Sequence, residues 1–129
     1  MVLDASGAVE LLLNTARGKR IGRRLAAESE VVHAPHLVDV EVTNVLRRYV
    51  LRGALDERRA AMALAHWRSL DVERYPHGPF LGRAWRLRNN LSAYDAVYVA
   101  LAEALGTVLV TGDHRLARAP DLNVRVELA

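Results

Sequence analysis

Four carboxylic acids, each in a different stretch of the chain, are the residues best placed to do chemistry. Asp4 ends the opening run MVLD, Glu41 lies inside VEVTNVLRR, Asp95 sits in SAYDAVYVALAEAL, and Asp113 follows VLVTG. Each falls where a parallel-sheet fold brings it to the same rim. Carboxylates gathered from distant segments repel one another, and hard divalent ions such as Mg²⁺ or Mn²⁺ relieve the repulsion through oxygen ligands. The pattern points to metal-dependent hydrolysis.

Each acid also has an ordinary structural reading. Asp4 can be a turn residue or helix cap, although Ser6 is placed to cap the same helix. Ser6 otherwise offers a hydroxyl to orient Asp4 or a metal-bound water. Glu41 shares a helical stripe with Leu37, Val38 and Val45, and Asn44 lies at its edge. A carboxylate turned toward a core is costly unless paired or bound to a cation; the competing reading is an ion pair with Arg48 or a rim position. Asp39 falls on another face and reads as a solvated first-turn acid, favoured by the helix dipole. Ser92 and Asp95 have capping-box spacing. Asp113 reads alone as the cap of a short helix, with Gly112 permitting tight backbone geometry and the Thr111 hydroxyl beside the acid. The joint occurrence of four acids at rim positions favours function.

Other chemistries find less support. There is no cysteine, which removes disulfides, thiolate zinc and cysteine nucleophiles. His33, His36, His66, His77 and His114 lack metal-binding spacing and read as surface or packing residues. No glycine-rich phosphate loop and no nucleophile elbow is present. Trp67, Trp85, Tyr49 and Tyr98 read as core or interface anchors at helical spacing, with base stacking the lesser alternative.

The elements that must position the acids alternate. A strand is expected from Met1 to Asp4, a helix over Ala8 to Leu13, and an amphipathic basic helix through Arg17, Lys19, Arg20, Arg23 and Arg24. A strand over Val31 to Ala34 precedes a long helix opened by Pro35 and closed by Gly53. Asp56 starts another helix through Leu70, and Asp71 to Tyr75 reads as a strand. Helices over Phe80 to Arg88 and Ala93 to Leu105, a strand over Thr107 to Thr111, a short helix over Arg115 to Ala117 and a strand over Val124 to Glu127 complete the chain. Such alternation implies one α/β domain over residues 1–129, with a mainly parallel sheet covered on both faces. In these sheets the working site lies beyond the carboxyl ends of the strands, where Asp4 and Asp113 fall.

Composition agrees. The chain has 129 residues, 51% of them hydrophobic, enough for a buried core. No stretch has the length of a membrane span, and no signal peptide is evident, so a cytoplasmic protein is expected. The formal charge is +3, from 18 basic and 15 acidic residues. Without the four acids, 11 acidic residues remain against the 18 basic ones. Lys19 is the only lysine; arginine forks suit phosphate contacts, though codon usage explains their number equally well.

Taken together, MVLDAS, VEVTNVLRR, SAYDAVYVALAEALG and VLVTGDHRLA resemble the PIN-domain family, and the size resembles its stand-alone VapC-type toxins. The resemblance extends over nearly the whole chain and is least diagnostic from Leu55 to Asn90. It implies a three-layer α/β/α sandwich around a short, mainly parallel sheet. It maps the family's acids onto Asp4, Glu41, Asp95 and Asp113, and its accessory polar residues onto Ser6, Asn44 and Thr111. It further implies one or two Mg²⁺ or Mn²⁺ ions and cleavage of RNA to 5′-phosphate and 3′-hydroxyl ends. A homodimer and a cognate antitoxin that silences it are implied too, with higher assemblies of the pair and contact with DNA only through the antitoxin. A regulatory module that grips an antitoxin without catalysis, and with it binds operator DNA, is the alternative. A phosphoacceptor receiver domain fits less well, because Glu41 is mid-helix and no lysine follows Lys19.

Overall fold

The computed structural model describes residues 1–28 and 30–129. Its centre is a parallel five-stranded sheet in the order β3-β2-β1-β4-β5. The strands are β1 (Val2–Leu3), β2 (Val32–Pro35), β3 (Val72–Tyr75), β4 (Leu109–Thr111) and β5 (Val126–Leu128). The helices are α1 (Ala5–Leu12), α2 (Ala16–Glu28), α3 (Val38–Leu51), α4 (Glu57–Ser69), α5 (Leu81–Arg86) and α6 (Ala93–Leu105). Short 3₁₀ turns cover Gly78–Phe80 and Leu116–Arg118.

β1 is the central strand because it can be dry on both sides. Met1, Val2 and Leu3 are all buried, and Val2 registers with His33 of β2 and Leu109 of β4. Parallel strands need crossovers, and the crossovers lay helices over both faces. Helices α1 to α4 pack against one another, while α6 pairs with α5 and lies on β1, β2 and β4, giving a three-layer α/β/α sandwich. α6 gets close because its sheet-facing residues are small: Ala96, Val99, Ala100 and Ala102 are all buried. Full burial of each valine or leucine contributes roughly 1.5–3 kcal/mol.

Local signals set the helix ends. Asp56 accepts from the Arg59 N–H to start α4, and Ser92 accepts from the Asp95 N–H to start α6. Gly106 closes α6 at φ +61°. α1 and α2 meet so closely that a Cβ on Gly18 would stand 1.9 Å from the Glu10 carbonyl oxygen. Only glycine permits that approach.

Several boundaries differ from expectation. Pro35 ends β2 instead of opening α3, which begins at Val38, since extended backbone suits proline at a strand's end. α1 begins at Ala5, three residues before the expected Ala8, because Asp4 already caps it. The last strand is shifted to Val126–Leu128, in register with β4. Among the described residues no helix is long and apolar enough to cross a membrane.

Candidate active site

The chain leaves β1 at Leu3 in extended conformation, and Asp4 turns it into α1. Its backbone (φ −81°, ψ 170°) aims the carboxylate over the first helical turn, where Oδ1 accepts from the Gly7 N–H at 2.8 Å. The expectation that Ser6 caps this helix is corrected by this bond. Ser6 instead donates to Asp4 Oδ1 at 2.6 Å and accepts from the Gly112 N–H at 2.7 Å. A Cβ on Gly112 would meet Ser6 Oγ at 3.0 Å, so close approach is what favours glycine there. Thr111, wholly buried at the end of β4, donates to Asp4 Oδ2 and accepts from the Asp113 N–H at 2.9 Å. Two hydroxyls thus tie the ends of β1 and β4 together.

Asp4 is only 7% exposed. Burial pushes its pKa up, and the charge of Asp95 adds to the effect, while the Gly7, Ser6 and Thr111 hydrogen bonds oppose it. Glu41 also rises. Burial is again the largest cause, with Asp4 and Asp95 raising it further and the Tyr98 hydrogen bond opposing. Tyr98 donates to Glu41 Oε2 at 2.6 Å, and burial together with that carboxylate holds the phenol protonated. The Glu41–Arg48 ion pair is not formed.

Asp95 reaches the same rim because α6 runs back across the sheet, which puts its N-terminus beside the strands' carboxyl ends. Ser92 is engaged with the Asp95 backbone N–H, and the Asp95 carboxylate makes no hydrogen bond or ion pair among the described residues. Asp113 is different. Its Oδ1 accepts from the Arg115 N–H at 2.7 Å and its Oδ2 faces the Arg115 guanidinium at 3.2 Å. Burial raises its pKa, but these Arg115 contacts outweigh it and hold the carboxyl below its ordinary value.

All four acids line one open cleft of about 300 Å³, together with Ser6, Asn44, Arg48 and Tyr98. Thr111 stands behind Asp4 and acts through it. Asp4 and Glu41 both feel the charge of Asp95, and Glu41 feels that of Asp4 as well. Among the described residues none of the three forms an ion pair, although the Arg115 guanidinium feels the Asp95 charge from a distance. Asp113 brings its own arginine. Oxygen donors only, in negative excess and facing solvent, suit a hard divalent cation in donor chemistry. Among the described residues no three such side chains are already arranged to hold a metal ion, so an ion would have to draw them in.

Sequence reasoning missed several participants. Tyr98 read as a core anchor, and it is buried, but its hydroxyl serves Glu41. The signal was its position one turn after Asp95 on the same face. Arg48, a candidate partner of Glu41 from the sequence, instead lies on the cleft wall with its side chain uncommitted among the described residues. Asp39 is a half-exposed first-turn acid as expected, but it is also paired, binding Arg74 at 2.9 Å and accepting from Trp67 Nε1 at 2.7 Å. Trp67 is core, whereas Trp85 is exposed and stacks on Arg88. None of the five histidines lines the cleft. His77, for one, accepts from the Leu37 N–H just before α3.

The sequence matches the PIN domain family over residues 1–122. Ribonuclease VapC12 of Mycobacterium tuberculosis is 44% identical over 128 residues, spanning 99% of this chain and 98% of that protein. Ribonuclease VapC9 of the same species is 50% identical over 120 residues, 91% of this chain and 88% of that one. The crystal structure of PAE2754 from Pyrobaculum aerophilum superposes with a TM-score of 0.70 at 26% identity, covering 97% of this chain and 81% of that one.

Proposed function

The chain belongs to the PIN-domain family as a VapC-type member, and from that membership we propose that it is a metal-dependent endoribonuclease, the toxin of a toxin–antitoxin pair. The observation that carries the proposal is the cleft itself. Four segments far apart in sequence deliver four carboxylates to it, and among the described residues three of these form no ion pair.

Asp4, Glu41, Asp95 and Asp113 would hold Mg²⁺ or Mn²⁺. Such an ion lowers the pKa of a bound water and offsets negative charge developing on a phosphoryl group. The chain's own groups do the rest. Ser6, Thr111 and the Gly7 N–H fix Asp4, so its carboxylate cannot swing away. Tyr98 fixes Glu41, whose proton affinity is raised by burial and by the charges of Asp4 and Asp95, which suits it to accept a proton. Arg48 and Arg115, on the wall and rim, meet the phosphates of the RNA through salt-sensitive contacts. Water adds to phosphorus, the bond to the 3′ oxygen breaks, and that oxygen takes the proton. The products are a 5′-phosphate and a 3′-hydroxyl. The working form is a cytoplasmic homodimer, held inactive by its antitoxin and reaching DNA only through that partner.

Purified protein, free of antitoxin, is incubated with total cellular RNA in Mg²⁺ or Mn²⁺, in EDTA, and beside Asp95→Asn. Discrete fragments from wild type with metal alone are the expected result. Intact RNA in every lane from folded protein would replace catalysis with the antitoxin-binding role.

A further inference from the structure

A second cavity adjoins the carboxylate cleft and is not used by the hydrolysis just described. It lies between α1 and α3, measures about 230 Å³, and shares Ser6, Val45 and Arg48 with the cleft. Its walls differ in kind from those of the cleft. Val9, Leu13 and Val45 make it apolar, Tyr49 adds an aromatic ring that is 36% exposed, and Glu10 supplies a carboxylate at the polar end. Glu10 is held in place: the Thr15 hydroxyl donates to Oε2, and that hydroxyl accepts from the Gly18 N–H at 3.0 Å as α2 begins. Oε1 meets only Arg17, at 3.9 Å, the outer limit of an ion pair.

We infer that this cavity is a nucleotide subsite, taking one unpaired base of the RNA next to the bond that is cut. The inference rests on the ribonuclease reading above and extends it to substrate selection. An aromatic ring beside aliphatic walls offers a stacking surface to a flat heterocycle, which is how single-stranded RNA is commonly held. A fixed carboxylate oxygen accepts hydrogen bonds and donates none, so it selects a base edge that carries N–H donors. Guanine presents two adjacent donors, N1–H and N2–H₂, and is the expected occupant. Arg48 stands on the wall common to both cavities with its guanidinium uncommitted among the described residues, where it can hold the phosphate that links the base to the cleavage point. The cleft would then set where the bond breaks and the side cavity would set which nucleotide stands beside it.

The test sequences the fragment ends made by wild type, Glu10→Gln and Tyr49→Ala from a randomised RNA pool, with Tyr49→Phe as the conservative control. Circular dichroism checks that each variant is folded. Wild type should show a base preference, guanine foremost, at one position adjoining the cut. Glu10→Gln should erase most of that preference while cleavage continues. Tyr49→Ala should raise KM for a preferred oligonucleotide about tenfold with kcat little changed, the size expected for one lost stacking contact, and Tyr49→Phe should restore it. Wild-type cleavage with the same end preferences and KM in every variant overturns the subsite and leaves the ribonuclease reading intact. Failure of wild type to cut RNA at all removes both.

Discussion

Asp39 and Glu41 stand two residues apart on α3, and the protein treats them in opposite ways. Asp39 faces Arg74 and Trp67. Burial pushes its pKa up, but the hydrogen bonds and charge of those partners overcome the effect and hold it below its ordinary value of 3.8. Glu41 faces Asp4 and Asp95. Burial and like charge hold it above its ordinary value of 4.5, with only the Tyr98 hydroxyl to help. One acid is committed to joining α3 to β3 and α4, whereas the other is left short of a counter-charge. A helix turns about 100° per residue, so two positions apart is enough to send like side chains into opposite environments. The lesson is that an acid's partners, more than its burial, separate a structural role from a site.

Exchanging the two roles by mutation tests that contrast most strongly. Asp4→Asn, on the unpaired side, keeps its capping ability, because asparagine caps as well as aspartate. RNA cleavage should fall by about a hundredfold or more, beyond what losing a group one shell further from an ion typically costs. The melting temperature should change little, since removing a buried charge offsets the acceptor that the buried Thr111 hydroxyl loses. Asp39→Asn should do the reverse, leaving cleavage near wild type and costing about 1–2 kcal/mol, a figure kept low because the ion pair is partly exposed. If thermal melts and RNA cleavage assays on both variants show the two losing activity alike, the contrast is broken.

A divalent cation should act on one side only. At about a hundred times its Kd, Mg²⁺ or Mn²⁺ should stabilise wild type by roughly 2.7 kcal/mol. Thermal melts should show most of that shift lost in Glu41→Gln and Asp95→Asn but kept in Asp39→Asn. Equal shifts in all four proteins would mean that the ion binds elsewhere.

Acid–base behaviour sharpens the comparison further. The raised pKa of Glu41 means that the folded state holds its proton more tightly than the unfolded state. Its contribution is complete below about 4.5 and is lost as pH rises through the folded value. Asp39 has the opposite sign: its contribution is present above 3.8 and is lost as pH falls through the folded value. In metal-free buffer, urea melts against pH should therefore show Glu41→Gln gaining on wild type above pH 4.5, while Asp39→Asn loses its deficit toward acid. Parallel curves for the two variants would contradict the assignment.

The smallest expected effect is Tyr98→Phe, which leaves Glu41 in place without its donor. Cleavage should drop about tenfold, and metal affinity should weaken with it. An unchanged rate would reduce Tyr98 to packing.

Much of the fold was legible along the chain. Asp56, Ser92 and Gly106 marked helix ends by their own chemistry, and the alternation of short apolar runs with helical stripes implied a parallel α/β sheet. These signals act within about four residues, the reach of a cap or a helical turn. The same reach explains the errors at Ser6 and Pro35, where two neighbouring residues were both eligible and local rules could not rank them. Only the strand's exit direction chose Asp4 as the cap.

The four acids were legible as types and as segments, since a strand followed by an acid is a local pattern. Which acids would be left without a partner was not. Thr111 reaches Asp4 across 107 residues, Tyr98 reaches Glu41 across 57, and Arg74 reaches Asp39 across 35. Such pairings depend on how strands β3, β2, β1 and β4 lie side by side and on where α6 crosses them. The sequence by itself determined that carboxylates would stand at the sheet's rim. The tertiary structure decided which of them keep an unsatisfied charge, because the low-dielectric surroundings and the counter-charges of a side chain are set by segments that meet only on folding.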